Sequence, residues 1–523
     1  MERKTAISKP GPLCSVILKR QVNWHWQASL MVAGDEPVSI IFCKRTRPYH
    51  PDGSLGEPLR FQDVESRAGQ QCLNRFHARF RPEAVVRASI TPAISRRACA
   101  VVFWHRMGAT RGSAPSTSRG NAMLFETARH EPLLDIDWDA TRARAAIAAI
   151  VEDTEETLGS GITWPWHPLD EGKNPKPPHK SIYLGASGTL WAMWYLQRAG
   201  AVSLRIKPPD LIDRVYESYL AQPDTGEVVP SYFLGEVGIL LIRWRLTGSR
   251  EVADRIREAI ARNILNPTNE ALWGAPGTMI GALHMLRWTG EERWRELYLE
   301  NAEQLWRIWL PSTQAHCHLW TQDLYGHIEQ LLGAGHGFAG NAYALLRGAA
   351  LLPADRREAL YDRCVESLHA TAILEDDGAN WPPAVGARPA GTKMLVQWCH
   401  GAPGIVTGLA DFPVHRSADM DEMLVKAGHA IWQAGPLAKG PGVCHGTAGN
   451  GHAYLKLHQR TGDQVWLSRA RSFAMHAIAQ SEQAQQEHGR RRYSLWTGDP
   501  GLAVYLWHCL TGSGGLPALD ILD

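Results

Sequence analysis

Seven copies of a Gly-x-x-Gly pair, spaced 39 to 64 residues apart, constrain the fold of this chain more than any other feature. They begin at residues 185, 235, 274, 337, 401, 446 and 498. Alone, the pair carries little weight. With 48 glycines in 523 residues, about four copies arise by chance, and further copies at 53 and 512 have that character. Context supplies the weight, because most of the seven run straight into an apolar helical stretch such as TLWAMWYL, TMIGALHML or LAVYLWHCL. Each interval also has room for a second helix. Repeats of this length are supersecondary units that bury their core against their neighbours. Seven helix pairs closing on themselves predict an all-α chain folded as an α/α toroid, with the glycine turns at the N-termini of the inner helices around one end of a central cavity. Glycine there allows φ > 0 and close backbone approach. The helix N-termini offer free N–H groups and positive dipole ends, which favour carboxylates and thiolates.

The repeats do not span the chain. Residues 1–122 hold 19 Lys and Arg against 8 Asp and Glu, so with +2 overall the remainder carries −9. The flank shows no sustained helical or alternating period, and 107–120 (MGATRGSAPSTSRG) is linker-like. Two domains are expected: a basic extension at 1–122, disordered or translated upstream of a start at Met123, and the helical toroid at 123–523. Within the second, 139–158 reads as an amphipathic helix. Many of the 21 tryptophans, Trp191, Trp273, Trp398 and Trp496 among them, lie in or beside the glycine turns and are expected to pack the toroid rather than stack on a ligand.

Partners and compartment are bounded by composition. The near-neutral charge gives no global argument for nucleic acid, no window approaches a membrane span, and no secretory pattern opens the chain. The nine cysteines, at 14, 43, 72, 99, 317, 364, 399, 444 and 509, suggest no disulfide framework, so the reducing cytosol is expected. No phosphate loop or dinucleotide fingerprint appears.

Three turns carry histidine or cysteine ahead of the glycine: GAGHGFAGN (333–341), QWCHGAPG (397–404) and GVCHGTAGNG (442–451). The repeat register therefore brings Cys399, Cys444 and His445 to equivalent positions of adjacent repeats. Two thiolates and an imidazole suit tetrahedral Zn²⁺, and three protein ligands leave one position open for a substrate. Two buried cysteines and a capping histidine are the alternative. The His316-Cys317-His318 run has no third partner in register and is read as loop, and Asp499 is read as a helix N-terminal residue.

In these segments the chain resembles the lanthionine synthetase C-like proteins, over about residues 140–511. WCHGAPG, CHGTAGN, NEALWGAPG (269–277), ANWPPAVG (379–386) and KGPGVCHGTAGN (439–450) are closest in wording to the stand-alone, eukaryotic-type branch. The resemblance implies one zinc ion on Cys399, Cys444 and His445 and addition of a thiol to dehydroalanine or dehydrobutyrine, forming a thioether. It implies His336 as general acid/base, Glu270 as an acidic partner near the metal and Lys439 as a holder of glutathione. His400 and Leu395 stand where peptide-cyclising bacterial members have tyrosine and a basic residue, which tilts the reading away from a lantibiotic cyclase. The expected partners are glutathione and a dehydrated peptide or damaged protein. Rival readings are a peptide cyclase, a non-catalytic glutathione- and zinc-binding adaptor, and a carbohydrate enzyme using cavity carboxylates such as Glu236, Glu270 and Asp499.

Overall fold

The computed structural model describes residues 124–160, 162–170, 178–386 and 394–523, together with the backbone of five strands nearer the N-terminus. It divides into two units, 1–119 and 120–523. In the first, β1 (Cys14–Arg20), β2 (Trp24–Met31) and β3 (Ile40–Thr46) form an antiparallel sheet, and β4 (Ala84–Ala88) pairs with β5 (Val101–His105). The linker at 107–120 and a start at Met123 lie outside the described residues.

The second unit is helical. The helices that follow the glycine pairs are α2 (Ala186–Arg198), α4 (Glu236–Thr247), α6 (Ala275–Thr289), α8 (Phe338–Arg347), α10 (Ala402–Leu409), α12 (Thr447–Thr461) and α14 (Asp499–Thr511). Between them run α3 (Pro208–Ala221), α5 (Arg250–Asn263), α7 (Glu292–Arg307), α9 (Ala354–Thr371), α11 (Ala418–Ala434) and α13 (Gln464–His488). Composition sorts the two sets. α8 is buried on all sides from Phe338 to Leu346, as an inner helix must be. α5 buries only the stripe Val252, Ala253, Ile256, Ala259, Ile260 and Asn263.

Each inner helix touches the next, from α2 round to α14, and α14 touches α2, so the ring is closed. The seventh inner helix has no successor to pair with. Its partner is α1 (Ala140–Glu156), N-capped by Asp139, whose side chain accepts from the amides of Thr141 and Arg142. The closing pair therefore joins the first helix to the last. The α/α toroid expected from the repeats is the observed fold.

Close approach, rather than left-handed backbone, explains the glycine pairs. In all seven, a Cβ on the second glycine would fall well inside contact with the carbonyl oxygen six residues upstream. Of the seven first glycines only Gly401 has positive φ, 96°. Short hairpins interrupt the helices: β6 (Leu310–Pro311) with β7 (His318–Leu319), β8 (Gln322–Leu324) with β9 (His327–Glu329), and β10 (Ile373–Glu375) with β11 (Gly378–Asn380). The His316-Cys317-His318 run lies at the first of these, with His318 Nδ1 2.8 Å from a Glu366 carboxylate oxygen. Trp191, Trp398 and Trp496 are fully buried packing residues; Trp273 is partly exposed and behaves differently.

Candidate active site

The residues two places before the first glycine of each pair form a ring of their own. Six are linked by backbone bonds across neighbouring repeats. Tyr183 N–H donates to Phe233 O (3.1 Å), Trp496 to Tyr183 O (3.2 Å), Cys444 to Trp496 O (2.7 Å), Cys399 to Cys444 O (3.2 Å) and Gly335 to Cys399 O (3.4 Å). All are buried, and the aromatic members Tyr183, Phe233 and Trp496 pack on one another and on Trp398, whose centroid lies 4.4 Å from that of Trp496. One residue further on stand Leu184, Leu234, Trp273, His336, His400, His445 and Thr497, of which all but Thr497 are partly exposed. Three consecutive repeats thus present an imidazole at the same position.

Cys399, Cys444 and His445 meet where this register predicts. Their ligand atoms all lie within 4.8 Å of one another, the only such group among the described residues. Tetrahedral zinc with Zn–S near ~2.3 Å and Zn–N near ~2.0 Å sets ligand atoms about 3.8 Å apart, so a small contraction suffices. The donors also fit chemically. A hydrogen bond from Cys444, with further help from His445, holds the Cys399 thiol well below its ordinary range against the cost of burial. Burial, and then the bond and charge of Cys399, push Cys444 well up, opposed by the Tyr183 hydroxyl and the Lys439 ammonium. A divalent cation between them would favour the ionised form of both sulfurs. Gln397 Nε2 donates to Cys399 Sγ at 3.0 Å and orients that sulfur.

His336 stands beside this cluster. Its Nδ1 lies 2.9 Å from Glu270 Oε2, and its ring stacks on His400 with centroids 5.4 Å apart. Glu270 is fully buried and also accepts from the amides of Leu272 (3.0 Å) and Trp273 (2.5 Å). Burial would lower the His336 pKa, but the bond and charge of Glu270, with Cys399 behind, raise it overall. Burial lowers that of His400, whose Nδ1 has no partner. A cavity of about 210 Å³ opens on both rings, walled by Gln322, Leu324, Tyr325, His327, Glu329 and Leu331 of the β8–β9 hairpin and the segment after it. Lys439 is exposed, near enough for its charge to act on Cys444.

The geometry therefore brings His336, Glu270, Cys399, Cys444 and His445 together, with Lys439 at the edge. Sequence does not single out Gln397 or Tyr183, and it marks His400 only for standing where cyclising members have tyrosine; Gln397 and His400 both lie in the QWCHG wording itself. The carboxylates a carbohydrate enzyme would need are engaged elsewhere. Glu236 is buried against Arg255 and Arg262, and Asp499, at the first turn of α14, against Ser481 and Arg491.

The family model of the lanthionine synthetase C-like proteins matches residues 176–515, well over half of the chain. The chain belongs to that family. It is 36% identical over 148 residues to the zebrafish (Danio rerio) protein named glutathione S-transferase LANCL1, and 35% identical over 193 residues to LanC-like protein GCL1 of Arabidopsis thaliana. These matches cover 28% and 35% of this chain and only 35% and 41% of the relatives, so the chain spans well under half the length of each. Both relatives agree with the eukaryotic-type wording of the motifs. Among solved structures nisin cyclase shares the fold, with a TM-score of 0.50 at 15% identity over 71% of this chain and 94% of that one. No helix among the described residues is long and apolar enough to cross a membrane.

Proposed function

We propose that this lanthionine synthetase C-like protein adds glutathione to dehydroalanine or dehydrobutyrine residues of dehydrated peptides or damaged proteins, using one zinc ion held by Cys399, Cys444 and His445. The observation that carries the reading is the Glu270–His336 pair set beside a Cys/Cys/His cluster, with His336 opening on a cavity. Three protein ligands leave a fourth position open, and zinc bound there would make an incoming thiol ionise near neutral pH.

The protein's own groups supply the rest. Lys439, exposed beside the cluster, offers a cation to the carboxylates of glutathione. Glu270, buried and held by two backbone amides, fixes the His336 ring and keeps it protonated above the ordinary histidine range. As sulfur bonds to the β-carbon, the double bond's electrons move to the α-carbon. His336 is placed to give its proton there, so the thiol's lost proton is made good and the product is a saturated thioether. The buried aromatic ring of Tyr183, Phe233, Trp398 and Trp496 excludes water from beneath the site. The name of the zebrafish relative supports glutathione as the thiol, and the five described cysteines, all free, agree with a glutathione-rich reducing cytosol.

The test is an intact-mass assay with glutathione and a peptide carrying one dehydroalanine and one distant cysteine. A gain of one glutathione, abolished by Cys444→Ala, supports the reading. Unchanged mass with loss of the alkylatable cysteine would identify a cyclase. Full biological activity in His336→Ala would identify an adaptor.

A further inference from the structure

We propose that the exposed edge of strand β9 (His327–Glu329) docks the acceptor, as an extended polypeptide that adds one strand to the β8–β9 hairpin and lays its dehydroamino acid into the cavity before His336. The proposal rests on the functional reading above and names how its acceptor is held.

The hairpin's register carries the argument. Gln322 faces Glu329, Asp323 faces Ile328 and Leu324 faces His327. Side chains alternate across a strand, so the first and last pairs share one face, and all four of those residues line the cavity. In an antiparallel ladder the amides of the middle pair turn outward. That of Asp323 donates to Pro267 O at 3.1 Å, so the β8 edge is covered. The amide and carbonyl of Ile328 turn outward on the opposite edge, where all three residues are exposed and Ile328 itself is 74% exposed. Among the described residues no backbone group pairs with them. A segment hydrogen-bonded at Ile328 would continue the sheet, and its own alternation would send every second side chain onto the face that walls the cavity.

The turn supplies a second, independent observation. Tyr325 and Gly326 both have positive φ, 54° and 82°, the conformation of a type I′ hairpin, in which Asn, Asp or Gly is favoured at the first position. A bulky tyrosine there is strained. It is 69% exposed, and its hydroxyl accepts from Trp273 Nε1 at 2.8 Å, with the two rings edge to face at 6.3 Å. Tyr325 lines the cavity and, with Trp273 against it, makes an aromatic rim at the turn from which the free edge starts. Edge pairing reads main chain and an aromatic rim accepts most side chains. The combination suits an acceptor defined by its dehydroamino acid rather than by a sequence.

The probe is a fluorescein-labelled peptide of about twelve residues with serine in place of dehydroalanine, measured by anisotropy beside a version N-methylated at alternate amides. The unmethylated peptide is expected to bind about tenfold more tightly than the methylated one. Ile328→Pro, which removes the outward N–H, should weaken it comparably, whereas Ile328→Ala, which keeps the amide, should bind nearly as the wild type does. Equal binding of the two peptides, no saturable binding, or an Ile328→Pro protein that binds normally would each overturn the proposal. Glutathione addition to the dehydroalanine version is followed in parallel, where Ile328→Pro should raise KM for the peptide and leave KM for glutathione unmoved. A raised KM for glutathione instead would assign the edge to the thiol and overturn the docking. The expected binding pattern without turnover would refute the functional reading alone, and turnover without that pattern would refute the docking alone.

Discussion

Replacing Glu270 by glutamine keeps the volume of the side chain and removes its charge. Three donors converge on the carboxylate: the amides of Leu272 and Trp273, and His336 Nδ1. An amide has one acceptor oxygen. If that oxygen serves Leu272 and His336, the new NH₂ confronts the Trp273 N–H, and a buried donor is left without a partner. Losing one charge-assisted bond and stranding one donor costs about 3 kcal/mol. For a cooperative unit of about 400 residues, at ~2.1 cal/mol/K per residue, this lowers Tm by about 4 °C. The pH dependence is more diagnostic. His336 has a raised folded pKa, so its contribution is complete below the unfolded value of ~6.5 and is lost as pH rises through the folded value. The Tm deficit of Glu270→Gln should therefore be largest in mild acid and shrink on the alkaline side. Without the Glu270 charge, burial dominates and His336 deprotonates earlier. Glutathione addition near neutral pH should then fall at least about tenfold, with the limb that reports the acid shifted to lower pH. Thermal scans from mild acid to mild base and a pH–rate profile test both. A variant whose Tm deficit is independent of pH and whose rate profile is unmoved would refute the pairing argument.

Cys399→Ala and Cys444→Ala should each reduce zinc from one per chain to near zero by elemental analysis, since two remaining ligands cannot hold it, whereas Cys364→Ala should keep full metal. Lys439→Ala should raise KM for glutathione by about tenfold while leaving a cysteine-peptide thiol within about twofold, because only glutathione presents the carboxylates; equal loss with both would remove Lys439 from that role. Asp520→Asn should cost about 3 kcal/mol by chemical denaturation. Asp520 accepts from Tyr343 (2.8 Å) and the Leu516 amide (2.6 Å) and lies 2.9 Å from the buried Lys456 ammonium, which would be left with Asp411 at 3.4 Å.

The toroid was legible because its signal is local and repeated. A second glycine is required wherever an inner helix begins against the carbonyl six residues upstream, so the pair recurs seven times. The meeting of the two cysteines was legible for the same reason. Cys399 and Cys444 occupy one register position in adjacent repeats, and a backbone bond between them sets their separation. Lys439 could be placed by wording, but its exposure beside Cys444 is a tertiary fact. Elements made by long-range pairing were harder to read. The strands of the β8–β9 hairpin are three residues each, and no period can be seen in three residues. The strand-forming segments before residue 106 likewise showed no alternation strong enough to read. Position in the chain did not show which outer helix completes the seventh pair, although 139–158 announced itself as amphipathic.

That seventh pair bears on how the molecule is made. During synthesis α1 emerges first among the described α-helices, while the inner helix that covers its apolar stripe, α14, lies more than 340 residues further along. Until then Ile147, Ile150 and Val151 have no permanent cover, and each intermediate repeat is an open arc with a bare end. The nascent chain therefore carries exposed apolar surface for most of its translation, and ring closure is the step of highest contact order. Cys399, Cys444 and His445, on repeats five and six, are neighbours before the ring shuts. If those three residues hold a metal as proposed, its capture would precede closure and tie the two repeats together while the last helix arrives.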